Sequence, residues 1–120
     1  MNNKILGAKG EQAAALYLEN HGYFIRERNY RAKTGEIDII ASKGDTISFV
    51  EVKTRGSMNY GTPAEAVNYY KQQKIVRTAQ AYIRYKGLHD YCYRFDVLEV
   101  LAPKSGAMSF RLIENAFEVG

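Results

Sequence analysis

The sequence is poor in the residues that build disulfides, zinc sites and several common catalytic centres. It has one cysteine, Cys92, and two isolated histidines, His21 and His89. A single cysteine cannot form an internal disulfide, and isolated histidines do not make a zinc site. Ser48 and Ser57 have no histidine nearby in the sequence, which weakens the case for a serine nucleophile. A phosphate-binding P-loop and the glycine-rich dinucleotide fingerprint are also absent.

Long hydrophobic runs are absent as well. No apolar stretch approaches the length that crosses a bilayer, and the N-terminus lacks the features of a signal peptide. We therefore expect no membrane association and a cytoplasmic location. The length of 120 residues, with 46% hydrophobic and 25% charged residues, suits one compact domain over residues 1–120.

Positive charge and tyrosine are in excess. The formal net charge is +4, which is compatible with a polyanionic partner such as nucleic acid. The chain has 10 tyrosines and no tryptophan. Tyrosine in this number suits half-buried surfaces, a dimer contact or base stacking, and composition does not choose among them.

Periodicity predicts an α/β domain with the element order α, three strands, α, then one or two strands. Helices are expected over 5–20 and over 62–86, the second with a break point near Asn68. Thr62-Pro63-Ala64-Glu65 has the pattern of a capped helix start, and Gly87 that of a helix end. Further strands are expected over 23–30, 89–101 and, at a sheet edge, 108–113. The early strands should be antiparallel, and the second helix should bring the next strand in parallel.

The stretch over 35–55, GEIDIIASKGDTISFVEVKTR, predicts a β-hairpin with Gly44 and Asp45 as its two-residue loop. That register places Asp38 directly opposite Glu51, with β-carbons about 5 Å apart. Lys53 lies two residues beyond Glu51 and shares its face of the sheet, which we expect to be the exposed face. The opposite, buried face should carry Ile37, Ile39, Val50 and Val52.

Two directly opposed carboxylates repel each other and would destabilise the hairpin unless the repulsion is offset. Their repulsion at about 4 Å is roughly 1 kcal/mol in water and about 4 kcal/mol at an effective dielectric constant near 20. Either a cation lies between them or one of them is protonated. Oxygen-only ligands favour Mg²⁺ or Mn²⁺. The alternative is a structural ion network in which Lys53 neutralises Glu36 or Glu51.

Basic residues recur beside this hairpin. Arg26 and Arg28 alternate along the predicted first strand, and 31–35 is a basic loop. The second helix has a basic face that includes Arg77 and Arg84. Each segment also suits a solvated surface, but their common sign favours contact with a phosphate backbone. The candidates for that contact are Arg26, Arg28, Lys33, Arg55, Lys71 and Lys74.

Asp38 followed by Glu51-Val52-Lys53 on the next strand, after a helix that carries Glu11, resembles the PD-(D/E)xK restriction-endonuclease-like nucleases. The αβββαβ order matches their core. The frame that joins the first helix to GEIDII and FVEVKTR resembles the YraN-like family of uncharacterised bacterial proteins, and it is similar to archaeal Holliday-junction resolvases. The resemblance runs from about Gly7 to Val100. Ile37 stands where the motif's name has proline.

The resemblance implies roles for five residues. Asp38 and Glu51 would bind the divalent metal, and Glu11 would complete the metal site directly or through water. Lys53 would position the attacking water or stabilise developing phosphate charge. Gln72 is the candidate for a polar residue that the second helix supplies.

Three functions follow as hypotheses. The first is a Mg²⁺- or Mn²⁺-dependent endonuclease that acts on DNA, including branched or junction DNA. A branched substrate would need two active sites, which a homodimer would supply if its subunits met through the tyrosine-rich fourth strand. The second is a nucleic-acid-binding module that does not cleave. The third is a protein-interaction scaffold whose tyrosines form the partner surface.

Overall fold

The computed structural model describes residues 3–56 and 67–117, with side chains from residue 6 onward. The predicted capped helix start at Thr62–Glu65 lies outside the described residues. Within them, no helix is long and apolar enough to cross a membrane. The elements are α1 (Asn3–Asn20), β1 (Phe24–Ala32), β2 (Gly35–Lys43), β3 (Thr46–Arg55), α2 (Tyr69–Lys86), β4 (Cys92–Leu101) and β5 (Ser109–Ile113).

The five strands form one mixed sheet in the order β1-β2-β3-β4-β5. β1, β2 and β3 pair antiparallel, β3 pairs with β4 in parallel, and β5 pairs antiparallel with β4 at the edge. α2 is the crossover between the two parallel strands, which only a connection of this length permits. The predicted α/β class, the αβββαβ order and the strand directions are confirmed.

The β2–β3 hairpin turns where its loop residues predict. Gly44 has φ +60°, and the pairing runs from Lys43–Thr46 to Ile39–Val50. A positive φ is nearly free for glycine and costly for other residues, so this glycine sets the turn. The register expected from the sequence is confirmed for every pair in this stretch.

α2 begins and ends at residues that satisfy its free backbone groups. The Asn68 side chain accepts the backbone N–H of Lys71 at 2.9 Å, and Gly87 ends the helix in the left-handed conformation at φ +68°. The predicted stop at Gly87 and the start of the helix that follows Asn68 are confirmed. Residues 62–66, before the predicted break, lie outside the described part of the chain. The cap also fixes Lys71 in the first turn of α2, facing the sheet.

A hydrophobic core lies on each face of the sheet. Leu18 of α1 packs with Ile39 and Val50 on one face. Tyr82 of α2 packs with Phe49 on the other. The residues of both cores are almost fully buried, so each helix packs against one face of the sheet.

Ile37 departs from the predicted face. We expected it beside Ile39, but it packs in the core under α2. The side-chain alternation of β2 therefore breaks between Ile37 and Ile39, across from Asn29 of β1, which has φ +51°. Ile37 is nevertheless buried, as predicted.

The tyrosine-rich fourth strand does not offer an open face. β4 lies between β3 and β5, and its residues Phe95 and Val97 are buried under α2. Tyr93 is 38% exposed, and its hydroxyl donates to the Leu88 carbonyl. Cys92, the first residue of β4, is exposed rather than part of the core. A dimer contact through β4 is therefore not supported by the packing of that strand.

Candidate active site

The end of the β2–β3 hairpin away from the turn is held by a side chain. The Asp38 carboxylate accepts the backbone N–H of Val52 at 2.8 Å, beyond the last paired residues Ile39 and Val50. A carboxylate thus serves as the acceptor for a strand N–H, which keeps Asp38 in one orientation against β3. The carboxylates of Asp38 and Glu51 interact electrostatically, and we call the space around them the pocket. Their predicted pairing lies beyond the last paired residues.

Glu51 is the buried member of the pair, with a side chain only 5% exposed. Its Oε1 lies 2.5 Å from Lys71 Nζ and 3.5 Å from Lys53 Nζ. The expectation that this face is exposed is therefore wrong for Glu51, because the start of α2 covers it. The two ammonium groups compensate a carboxylate that would otherwise be buried at high cost.

Asp38 is unusually hard to ionise. Burial raises its pKa, the negative charge of Glu51 adds to the increase, and the Val52 N–H opposes it, with a result of about 7 against an ordinary 3.8. The charge of Glu11 raises this pKa further, and the charge of Lys71 lowers it. Burial is therefore the first reason that Asp38 resists ionisation, and the charge of Glu51 is the second.

The two lysines of the pocket differ in their titration. Burial lowers the pKa of Lys53, and the neighbouring charge of Lys71 lowers it further. Burial also disfavours the charged form of Lys71, but its hydrogen bond to Glu51 and the charges of Glu51 and Asp38 together outweigh that effect and raise its pKa. Lys71 is 43% exposed and Lys53 only 18%. Lys71 is thus a solvent-accessible side chain whose charged form is stabilised. Lys53 is a desolvated side chain whose charged form is destabilised.

Glu11 approaches the pair from α1. It lines a groove of about 420 Å³ with Lys53 and Arg55. Partial burial raises the pKa of Glu11, the charge of Arg28 opposes this, and the charges of Glu36 and Glu51 add to it. These interactions place its carboxylate within the electrostatic field of the pocket.

The close approach of α1 to β3 depends on Gly10. A β-carbon at this position would lie 1.9 Å from Thr54 Oγ1, far inside van der Waals contact. By contrast, a β-carbon on Gly7 would meet nothing within 4 Å. The glycine beside Glu11 therefore sets how near that carboxylate comes to β3.

The donor set can be tested against a divalent cation. Asp38 and Glu51 offer oxygen atoms only, which Mg²⁺ and Mn²⁺ prefer, and Mg²⁺ is commonly held by one or two carboxylates with water completing its shell. A cation would reduce the repulsion between Asp38 and Glu51 and would favour the ionised form of Asp38. In the described part of the chain, no cluster of three or more His, Cys, Asp or Glu side chains forms a metal site. Two carboxylates fit the ion, and Glu11 does not join them as a direct third ligand.

Gln72 is not brought to the pocket. Its side-chain amide donates to the Val67 carbonyl at 2.7 Å, across the start of α2. The neighbouring residue, Lys71, contacts Glu51 instead. From the sequence, Lys71 is predicted only to contact the nucleic-acid backbone. The signal that was available is the Asn68 cap, which fixes the residues of the first turn.

The predicted backbone-binding residues divide into two groups. Arg28, Lys33, Arg55, Lys71 and Lys74 lie at the pocket or line grooves beside it. Arg26 lies elsewhere: its Nε donates to the Tyr82 hydroxyl at 3.3 Å, and its guanidinium is 5.9 Å from the Tyr91 ring. Tyr82 is about 16 Å along α2 from Lys71. Arg26 is thus remote from the acidic pair.

A second polar cluster, which the sequence did not reveal, is buried in the sheet. Asp96 is fully buried and accepts from the Ser48 hydroxyl, from Arg94 Nε at 2.9 Å and from the Asn115 N–H at 3.0 Å. Arg94 also donates to the Tyr23 hydroxyl at 2.6 Å. Every group here has a partner, so the cluster anchors β4 to its neighbours.

Comparisons with known proteins place the chain among uncharacterised relatives. The model of a family described as "Uncharacterised protein family UPF0102" matches residues 10–100. A UPF0102 protein of Alkaliphilus metalliredigens is 54% identical over 115 residues, which cover 96% of this chain and 99% of the relative. A UPF0102 protein of Clostridium botulinum strain 657 is 51% identical over 119 residues, 98% of this chain and 97% of the relative.

Among solved structures, the chain is similar to Archaeoglobus fulgidus Hjc, a Holliday junction resolvase from an archaeal hyperthermophile. The TM-score is 0.44 at 20% identity, covering 87% of this chain and 74% of that one.

Proposed function

This chain belongs to the uncharacterised protein family UPF0102, and we propose that it is a divalent-metal-dependent nuclease that hydrolyses phosphodiester bonds in DNA. The observation that supports this proposal is the shared pocket of Asp38 and Glu51, with Lys53 beside them. Burial and the Glu51 charge raise the pKa of Asp38 to about 7. A carboxyl group whose pKa is raised by burial and by a neighbouring acidic side chain, close to a desolvated lysine, is a combination found at reactive sites.

Asp38 and Glu51 would hold Mg²⁺ or Mn²⁺, and Glu11 would act through a water molecule. When bound, the ion would polarise a phosphoryl oxygen and lower the pKa of an attacking water. Asp38 keeps one orientation through the Val52 N–H. That fixed orientation reduces the entropy cost of assembling the site.

The lysines would act on the phosphate. Lys53 adds a fixed positive charge in a poorly solvated position, where it stabilises charge that develops during hydrolysis. Lys71 is close enough to solvent to exchange Glu51 for a phosphate oxygen. Arg28, Lys33, Arg55 and Lys74 would hold the backbone through a salt-dependent, sequence-independent attraction. A homodimer, joined elsewhere than β4, would present two sites to branched DNA.

One observation favours a second candidate, a nucleic-acid-binding module that does not cleave. Glu51 is already neutralised by Lys53 and Lys71. If this network is purely structural, no cation is required. The module would then bind nucleic acid with the same salt dependence but without metal.

The deciding experiment measures melting temperature and cleavage together. A cation that binds only the folded state raises the melting temperature by mass action. We expect Mn²⁺ or Mg²⁺ to stabilise the wild type and to support cleavage of junctions, flaps or single strands. Glu51→Gln should lose both effects. Asp45→Asn, at the exposed turn of the same hairpin, is the matched control and should keep both.

The outcomes separate the two candidates. Metal-induced stabilisation with cleavage supports the nuclease. Nucleic-acid binding with neither effect supports the binding module. A wild type that is inert on every substrate, or an Asp38→Asn variant as active as the wild type, would overturn the nuclease proposal.

A further inference from the structure

Two adjacent tyrosines are strongly exposed at the start of α2. Tyr69 is 73% exposed and Tyr70 is 69% exposed. One side of the Tyr70 ring carries Lys74, whose Nζ lies 4.7 Å from the ring centroid. Most of both rings is in contact with solvent. Neighbouring exposed aromatic rings beside a lysine offer flat apolar surface next to positive charge.

These tyrosines line a groove without a negative charge. We call it the tyrosine groove, and its volume is about 580 Å³. Its charged lining residues are Lys33, Lys74 and Arg77, and the remaining two, Thr34 and Gln73, are uncharged. A surface of this kind complements an anion that also carries a flat apolar group.

The tyrosine groove leads to the acidic pair. Tyr70 and Lys74 line it and also line an adjoining groove, to which Lys71 contributes. Lys71 in turn contacts Glu51. A ligand that runs along the start of α2 would therefore pass from the tyrosines towards Lys71. The charged residues that line the adjoining groove are Arg31, Glu36, Lys71 and Lys74, and Glu36 is paired with Arg31.

We propose that the tyrosine groove binds an unpaired nucleotide, with its base stacked on Tyr70 or Tyr69 and its phosphates on Lys33, Lys74 and Arg77. This inference deepens the proposed function and rests on it for the substrate: a single-stranded segment beside the bond to be cut. In a duplex, each base is already stacked between its neighbours and does not offer a face to a protein ring. Single-strand binders commonly combine stacking aromatics with a basic groove.

The test compares three DNA ligands by fluorescence anisotropy in EDTA, where cleavage is absent. They are a single strand, an abasic strand of the same length and charge, and a duplex. The wild type should bind the single strand more tightly than the other two. Tyr70→Leu or the double variant Tyr69→Leu/Tyr70→Leu should weaken single-strand binding about fivefold or more and leave abasic binding unchanged.

Tyr85→Leu is the matched control. Tyr85 is 74% exposed on the same helix, and Lys86 Nζ lies 5.4 Å from its ring, but it does not line the tyrosine groove. This variant should bind all three ligands like the wild type. Lys74→Met should weaken binding to the single and abasic strands alike and reduce the salt dependence, log K against log salt, by about 0.7.

Equal affinity for the single and abasic strands would overturn the inference, since it would mean attraction to phosphates alone. Duplex preference would overturn it too, as would equal losses in the Tyr70 and Tyr85 variants. These results are independent of the proposed nuclease activity. Base-dependent binding without metal-dependent cleavage would refute the nuclease and leave the stacking site. Metal-dependent cleavage without base-dependent binding would refute the stacking site and leave the nuclease proposal in place.

Discussion

Lys71 Nζ lies 2.5 Å from Glu51 Oε1 and so joins the first turn of α2 to the middle of the sheet. The contact places a solvent-accessible cation on the most buried carboxylate of the candidate site. It also gives Lys71 two possible partners, a protein carboxylate and a bound phosphate. The ion pair therefore competes with any metal ion for Glu51.

Lys71→Met should separate these effects. Without metal, the variant loses a partner of the buried Glu51 and should be less stable by about 1–2 kcal/mol, because Lys53 remains and Lys71 is partly exposed. With metal, the competing ammonium is gone, so the rise in melting temperature should exceed that of the wild type. Melting curves in EDTA and in increasing Mn²⁺ measure both quantities.

Lys74→Met is the control for Lys71→Met. Lys74 is three residues along the same helix, and its ammonium lies over Tyr70 rather than on Glu51. It should leave the melting temperature and its metal response unchanged. A smaller Mn²⁺ response in Lys71→Met than in the wild type would mean that the lysine supports the metal site instead of competing with it.

Asp38 should make the stability depend on pH. Its pKa is about 7 in the folded protein and near 3.8 when unfolded. Between these values the folded state binds the extra proton, so the free energy of unfolding should fall as pH rises from about 4 to 7. The full penalty above pH 7 is at most about 4 kcal/mol.

Asp38→Asn removes the titration and keeps an acceptor for the Val52 N–H. The variant should differ least from the wild type near pH 4, where Asp38 is protonated in the folded state and partly protonated in the unfolded state, and should be more stable near pH 8, as urea denaturation at the two pH values would measure. If it is equally destabilised at both, the carboxylate is not strained by its surroundings.

The same ionisation should govern metal binding. A cation requires the ionised form of Asp38 and must displace its proton below about pH 7. Mn²⁺ should therefore raise the melting temperature more at pH 8 than at pH 6. Isothermal titration calorimetry in buffers of different ionisation enthalpy should detect proton release at pH 6. A response that is independent of pH would place the ion away from Asp38.

Local chemistry explains why the hairpin and its acidic pair were predictable. Gly44 and Asp45 determine the turn, and the turn determines the register up to Ile39–Val50, next to which Asp38 and Glu51 lie in the chain. The helix boundaries at Asn68 and Gly87 are likewise set by residues at the boundary itself. None of these features depends on a distant part of the chain.

Other features depend on packing between elements, which spacing does not encode. Ile37 packs under α2 rather than beside Ile39, and the spacing of apolar residues in β2 does not indicate that change of face. Lys71 rather than Gln72 meets Glu51 because the rotation of α2 is set by its buried contacts with the sheet. The buried Asp96 network likewise combines residues from two strands, β3 and β4, with Tyr23 before β1 and Asn115 after β5.

Gly10 should control the position of Glu11. Gly10→Ala places a β-carbon against Thr54 and should destabilise the protein by about 1–3 kcal/mol while displacing α1 from β3. Gly7→Ala, on the same helix with open space around it, should instead stabilise by about 0.5–1 kcal/mol. Chemical denaturation measures both. Equal effects of the two substitutions would show that the close contact at Gly10 does not constrain the helix.

Lys53 should be needed for cleavage but not for metal binding. Its ammonium is 3.5 Å from Glu51, and its pKa is lowered by burial and by Lys71. Lys53→Met keeps the apolar stem and leaves Asp38 and Glu51 in place, so Mn²⁺ should still raise the melting temperature. Metal-dependent cleavage should fall about 10²–10³-fold, because the charge that stabilises the reacting phosphate is gone. Glu51→Gln should lose both responses, whereas Lys43→Met, at the far end of the hairpin, should keep both. If Lys53→Met also abolishes the thermal response, Lys53 acts by organising the carboxylates, and its separate role at the phosphate is refuted.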